Sequence, residues 1–238
     1  MISITDLSVR FGGVLSLDRL TVTFPGGTCG LIGPNGAGKT TFFNVLSGFV
    51  KPATGEVLAF GEDLLAITDF RRARWGLRRT FQTEQAIANL TVLENVLLVH
   101  EHTGGSSSTR RQDVLDAIEF VGIGDNMERE VGGLSQGDRR RVEVARAVVG
   151  SPRLVLLDEP AAGLPDDETH RLGAVIKRIP EDLGAMVVLV EHDMSLVQQC
   201  CEWIAALDFG ELLASGPTGD VLRDPAVLKA YLGEEDPL

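Results

Sequence analysis

The chain has 238 residues, of which 44% are hydrophobic and 24% charged, enough for one large domain with a proper core. A formal charge of −12 argues against non-specific nucleic-acid binding, which needs a basic face. The apolar runs, such as Met186 to Val190, are strand-sized, well short of the about 20 residues of a membrane-spanning helix.

Met1 to Thr23 alternates between apolar and polar residues, as half-buried strands do. With Asp6 and Arg10 among the apolar positions, it does not read as a signal peptide. A turn at Pro25-Gly26-Gly27 precedes a short apolar strand, Cys29 to Ile32. That strand runs into a glycine-rich loop and then an apolar helical stretch, Thr41 to Leu46. From about Gln82 to Val149 strand signals are scarce, and Val92 to Val99 and Val114 to Val121 read as amphipathic helices. Between them Gly104-Gly105-Ser106-Ser107-Ser108 reads as a flexible surface loop. Strands return at Leu154 to Leu157, Met186 to Val190 and Ile204 to Leu207, with a helical pattern from Glu168 to Ile179. The acidic stretch from Pro165 to Thr169 suits a helix start. A half-buried helix is expected from Ser195 to Trp203, and one or two short helices from Asp220 to Leu232. This alternation predicts a mostly parallel sheet with helices on both faces.

Three cysteines, Cys29, Cys200 and Cys201, are odd in number and two are adjacent. They make no disulfide framework, and a reducing compartment is expected. His100, His102 and His170 lack metal-ligand spacing with the cysteines and read as surface residues, so no structural zinc is expected.

The sharpest chemical signal is Gly33-Pro34-Asn35-Gly36-Ala37-Gly38-Lys39-Thr40. It fits the Walker A pattern G-x-x-x-x-G-K-[ST], between a strand and a helix. Glycines let successive N–H groups turn toward one anion, and the helix offers its positive end to the same phosphates. Lys39 adds charge near the β and γ phosphates, and Thr40 offers a hydroxyl to Mg²⁺. The second signal is Leu154-Val155-Leu156-Leu157-Asp158-Glu159, a buried strand ending in two carboxylates, the Walker B form. Asp158 would hold Mg²⁺ and Glu159 would polarise an attacking water as general base. Alone, that strand end would read equally well as a solvated acidic turn.

A third segment, Leu134-Ser135-Gln136-Gly137-Asp138, lies between these two, followed by an arginine-rich helix from Arg139 to Val149. Taken alone it reads as an ordinary serine-capped helix. In this order and spacing it resembles the Leu-Ser-Gly-Gly-Gln signature of the ABC ATPase family, with Gln136 in place of the first glycine. The resemblance covers Ile4 to Gly233. It implies an α/β P-loop NTPase of RecA-like type, with an N-terminal antiparallel β-region and an inserted helical subdomain. Residues 1–81 and 150–238 would form the core with the β-region, and 82–149 the helical lobe with the signature.

By the same resemblance, Gln82 in Arg79-Thr80-Phe81-Gln82 looks like the Q-loop glutamine, near Mg²⁺ or the lytic water. The segment after it would meet a transmembrane partner. His192 looks like the switch histidine, and Phe11 like the aromatic that stacks on adenine, although core packing is an alternative for Phe11. Ser135 and Gly137 would bind the γ-phosphate of ATP held by a second subunit. The expected catalytic set is Glu159, His192 and Gln82. The metal set is Thr40, Gln82 and Asp158. The nucleotide set is Phe11, the eight loop residues from Gly33 to Thr40, Thr41, Ser135 and Gly137. Ala162-Gly163-Leu164-Pro165 departs from the family's Ser-Ala-Leu-Asp at the D-loop, with Pro165 at the aspartate position, so that stretch receives no role.

Val190-Glu191-His192-Asp193-Met194, Leu90-Thr91-Val92-Leu93-Glu94-Asn95-Val96, Pro160 to Leu164 and the ending Asp224 to Gly233 look like the ATP-binding subunits of branched-chain amino-acid importers. Here the segment after Glu94-Asn95-Val96 is shorter than that group often carries. Urea or amide importers, lipopolysaccharide exporters and soluble ABC ATPases remain alternatives. The implied cofactors are ATP and Mg²⁺. The implied partners are transmembrane permease subunits, a second ATP-binding subunit and a substrate-binding protein, with no nucleic acid. The implied place is the cytoplasmic face of the membrane, held peripherally.

Overall fold

The computed structural model describes residues 1–103 and 108–232. Residues 104–107 of the expected glycine-serine loop, and Gly233, lie outside them. The chain divides into two compact units, one made of Met1–Arg72 with the chain from Val188 onward, the other of Ala73–Val187.

Two long strands, β1 (Ile2–Phe11) and β2 (Val14–Phe24), form an antiparallel hairpin with Ile2 opposite Phe24. Their alternation is what the sequence predicts: Ile2, Ile4, Leu7 and Val9 face in with Leu17, Leu20, Val22 and Phe24. Then come β3 (Thr28–Ile32) and α1 (Lys39–Ser47). Two strands without a clear alternating signal follow, β4 (Thr54–Ala59) and β5 (Glu62–Asp63), then α2 (Asp69–Trp75). β4 joins the far edge of β1, giving the order β2-β1-β4-β5.

In the second unit, β6 (Leu77–Arg79) is followed by α3 (Val92–His102), α4 (Arg110–Phe120) and α5 (Gln136–Val148). Next come β7 (Leu154–Asp158), parallel to β6, and α6 (Asp166–Leu183). β8 (Met186–Val190) carries the chain back to the first unit, where it neighbours β3. There α7 (Met194–Cys200), β9 (Trp203–Asp208), β10 (Glu211–Pro217), α8 (Thr218–Val221) and α9 (Pro225–Leu232) complete the described chain. β3 pairs parallel with β9, and β10 closes that edge antiparallel.

Three expectations need correction, and one strand went uncalled. His100 is fully buried rather than at the surface. It shares one stripe of α3 with the buried Val92 and Val96 at a spacing of four, and its Nε2 lies 2.8 Å from Asp113 Oδ2. The helix expected over Ser195 to Trp203 ends at Cys200. Cys201 is extended, and Trp203 opens β9 because its run Trp203–Ala206 pairs with β3 from Cys29. α6 runs past Ile179 through Pro180 to Leu183, and Gly184 in left-handed geometry ends it. β10 was not legible, since Glu211–Pro217 mixes small, polar and apolar residues. The three cysteines are free and buried. Burial pushes the Cys29 and Cys201 thiols up from their ordinary value, because a buried thiolate loses its hydration.

Candidate functional site

In the first unit the wholly buried strand β3 delivers the chain into Gly33–Gly38. The loop needs glycine at Gly38, where φ is 103° and a Cβ would sit 2.7 Å from the Ser16 carbonyl oxygen and 2.8 Å from Leu17 Cδ2. Ala37 N donates to the Pro34 carbonyl at 3.2 Å, and Gly210 N donates to the Ala37 carbonyl at 3.1 Å, so the loop is pinned on both sides. Lys39 opens α1 and is 6% exposed. Its Nζ donates to the Gly33 carbonyl at 2.6 Å and the Pro34 carbonyl at 2.9 Å. Asn35, Gly36 and Thr40 are exposed, and Thr41 Oγ1 lies 2.7 Å from Ser16 Oγ.

α1 is held at its other end by Arg72, which the sequence did not single out. Its guanidinium donates to the Val45 and Leu46 carbonyls at 2.6 and 2.7 Å and to the Ile67 carbonyl at 2.9 Å. A cation at a helix C-terminus satisfies carbonyls the helix cannot, and burial lowers the Arg72 pKa. In the same unit Phe11 ends β1 opposite Val14, half exposed, so it is not core. His192 is exposed just after β8, its N–H donating to Glu191 Oε2 at 2.9 Å, and Asp193 caps α7.

In the second unit β7 is buried throughout. Asp158 receives Arg79 Nη2 on Oδ2 at 2.9 Å, and its N–H donates to Thr80 Oγ1 at 3.1 Å. Arg79 also lies 4.8 Å from the Phe81 ring centroid. Glu159 follows with φ 49°, a conformation that costs about 1–3 kcal/mol for a residue with a side chain and recurs at functional positions. Gln82 Nε2 donates to Glu159 Oε2 at 2.8 Å, so two of the expected catalytic side chains touch. The stretch after Gln82 is moulded by two buried residues. Glu143 Oε1 accepts from Gln85 N at 2.8 Å and also from Ala86 N. Asn95 accepts from Ile87 N at 2.7 Å and donates back to the Ile87 carbonyl at 3.0 Å.

Ser135 caps α5, its Oγ accepting from Asp138 N at 3.1 Å. Gly137 is buried, and a Cβ there would land on the Glu168 carboxylate. Glu168 Oε2 is buried without a hydrogen-bond partner. Gln136 Nε2 and Arg140 Nη2 donate to the Ala162 carbonyl at 3.4 and 3.3 Å, tying the start of α5 to the stretch before Pro165.

Sequence reading missed Arg72, Arg79, Glu143 and Asn95 because each acts on the backbone or on a charge far away in the chain. For Arg79 a signal existed: an arginine three residues before Gln82 could balance a buried acidic strand end. In the first unit the glycine loop, the Lys39 ammonium at a helix start and the hydroxyl beside it suit phosphate oxygens, and in the second unit β7 ends in two carboxylates.

A family model described as "ABC transporter" matches residues 17–162. A second, "Branched-chain amino acid ATP-binding cassette transporter", matches residues 211–237. The chain is 38% identical over 251 residues to the high-affinity branched-chain amino acid transport ATP-binding protein LivG of Escherichia coli strain K12, covering 98% of each. Among solved structures it is similar to the ADP conformation of an ATP-binding cassette of an ABC transporter, with 28% identity and a TM-score of 0.88 over 98% of this chain and 99% of that one. It is also similar to a dimeric cassette in a post-hydrolysis state bound to ADP and Pi, with 25% identity and a TM-score of 0.79 over 92% and 99%.

Proposed function

The chain belongs to the ABC transporter family as an ATP-binding, ATP-hydrolysing subunit, and from that premise we propose that it powers uptake of branched-chain amino acids through separate permease chains. The observation that carries this reading is the 38% identity to LivG across 98% of both chains, together with the branched-chain-type match at residues 211–237.

The residue roles follow from chemistry and resemblance together. Gly33 to Thr40 take the phosphates, with Pro34, Asn35, Gly36, Ala37 and Gly38 shaping the loop and Lys39 supplying charge. Thr41 supports the loop through Ser16, and Phe11 offers an exposed ring to the adenine. Magnesium, when bound, neutralises phosphate charge, and Thr40, Gln82 and Asp158 are its candidate ligands. Glu159 takes a proton from the attacking water, with the Gln82 amide fixing its carboxylate. His192 contacts the γ-phosphate. A second copy or a related subunit contributes Ser135 and Gly137 to the same phosphate, so ATP joins two subunits and hydrolysis separates them. That cycle drives the permeases by shifting their populations.

Residues 1–81 and 150–238 serve as the nucleotide core and 82–149 as the helical lobe that meets the permease. Among the described residues no helix is long and apolar enough to cross a membrane. In this reading the permeases hold the chain peripherally, on the ATP-containing side, and a substrate-binding protein completes the system. The deciding experiment is uptake. Cells lacking the chain should lose high-affinity leucine, isoleucine and valine uptake, regain it with the wild type and not with Glu159→Gln. Unchanged uptake in the deletion would remove the substrate assignment.

A further inference from the structure

The molecule contains a single tyrosine, and its hydroxyl is spent on the phosphate-binding loop. Tyr231 lies on α9, yet its Oη accepts a hydrogen bond from Gly33 N at 2.6 Å. Gly33 is the first residue of the loop, and its other backbone group is engaged as well, since its carbonyl accepts Lys39 Nζ at 2.6 Å. One peptide residue thus joins a phenol on one side to the loop's ammonium on the other.

The surroundings leave Gly33 little freedom. It is buried, its φ is 150°, and a Cβ would land on the Leu207 carbonyl at the end of β9. A buried N–H needs an acceptor, and here the acceptor arrives on a side chain. α9 is anchored by Val227, which is 2% exposed, and by Asp224 Oδ1, which accepts from Ala226 N at 2.8 Å. The phenol is partly withdrawn from solvent, and that burial raises its pKa, so it stays protonated at neutral pH.

We propose that Tyr231 is a positioning residue for the phosphate-binding loop: by fixing the Gly33 amide it sets the carbonyl on which Lys39 rests, and it couples nucleotide occupancy of the loop to the seating of α9. This rests on the loop being the ATP site. When phosphates draw Lys39 away from the Gly33 carbonyl, the Gly33–Pro34 peptide is released to turn about the Gly33 Cα, and the phenol bonded to the adjoining Ile32–Gly33 amide registers the change.

Because Tyr231 is the only tyrosine, growth on 3-fluorotyrosine labels this position alone and gives one ¹⁹F resonance. In the full chain, titration with MgATP should move that resonance with the midpoint of an independent nucleotide-binding assay. Tyr231→Phe removes only the hydroxyl that accepts from Gly33 N. It should weaken MgATP binding about tenfold, the effect of one lost hydrogen bond of ordinary net strength, and the loss should fall on KM more than on kcat. A resonance that stays still while the wild type binds MgATP overturns the proposal, and it does so even if Tyr231→Phe fails to fold. Absence of MgATP binding by the wild type would overturn the ATP-site reading itself, and this proposal with it.

Discussion

Arg79 and Asp158 form an ion pair of 2.9 Å with side chains 5% and 6% exposed. The acidic end of β7 is therefore matched by a cation from β6, the strand beside it. Removing one partner of a buried pair leaves the other charge unsolvated, which costs about 3–5 kcal/mol. Arg79→Ala should lower the urea midpoint accordingly, and Arg79→Ala with Asp158→Asn should recover part of the loss. Equal unfolding curves for wild type and Arg79→Ala would deny the pair any structural weight.

Lys39→Ala should abolish turnover by weakening phosphate binding. Because the Lys39 ammonium also holds the Gly33 and Pro34 carbonyls, the variant's loop should exchange its amide hydrogens faster than the wild type's. Wild-type turnover in a phosphate-release assay would remove Lys39 from the site.

Glu159→Gln should keep ATP binding, lose turnover and accumulate an ATP-dependent dimer. Size measurements at saturating ATP check this, and persistent monomer contradicts it.

Gly137→Ala places a methyl on the Glu168 carboxylate. Overpacking of this kind costs about 1–3 kcal/mol. Glu168→Ala should relieve the clash, so the double variant should be more stable than Gly137→Ala alone. Thermal unfolding of the three variants gives the comparison, and strict additivity would contradict it.

At the start of α3 the Glu94 carboxylate accepts from Thr91 N at 2.8 Å and from the Thr91 hydroxyl at 2.9 Å. The backbone N–H first, and the hydroxyl second, hold its pKa below the usual carboxylate value. A depressed folded-state pKa contributes stability above the unfolded value of about 4.3 and loses it as pH falls through the folded value. Glu94→Ala should therefore be less stable than the wild type at pH 7, with the gap narrowing in acid. Thr91→Ala removes the cap and should cost about 1 kcal/mol. Denaturant melts between pH 7 and pH 3 test both, and a gap independent of pH would exclude the carboxylate.

The elements that the sequence made legible were those with local signals. β3, β7 and β8 read as short apolar runs, α1 followed a glycine loop, and α5 followed a capping serine. What escaped was set by distant partners. β4 is a strand because β1 offers it an edge, and Trp203 leaves the helix of Ser195 because Cys29 pairs with it. Of the candidate site, the motif positions could be named, and the contact between Gln82 and Glu159 lies where two of them were expected. The side chains that hold the motifs in shape, Arg72, Arg79, Asn95 and Glu143, carry no pattern of their own. His100 was misread because a polar letter interrupts the stripe it completes.

Seen from solvent, the run Gln85–Ile87 has no helix or strand of its own, yet its amides are pinned from beneath by Glu143 and Asn95. The curve of that surface is thus written into the helices under it rather than into its outward side chains. If the run faces a permease, substitutions at Gln85 or Ile87 can retune the fit to a new partner while the contour stays, whereas a change at Asn95 or Glu143 would erase the contour for every partner at once.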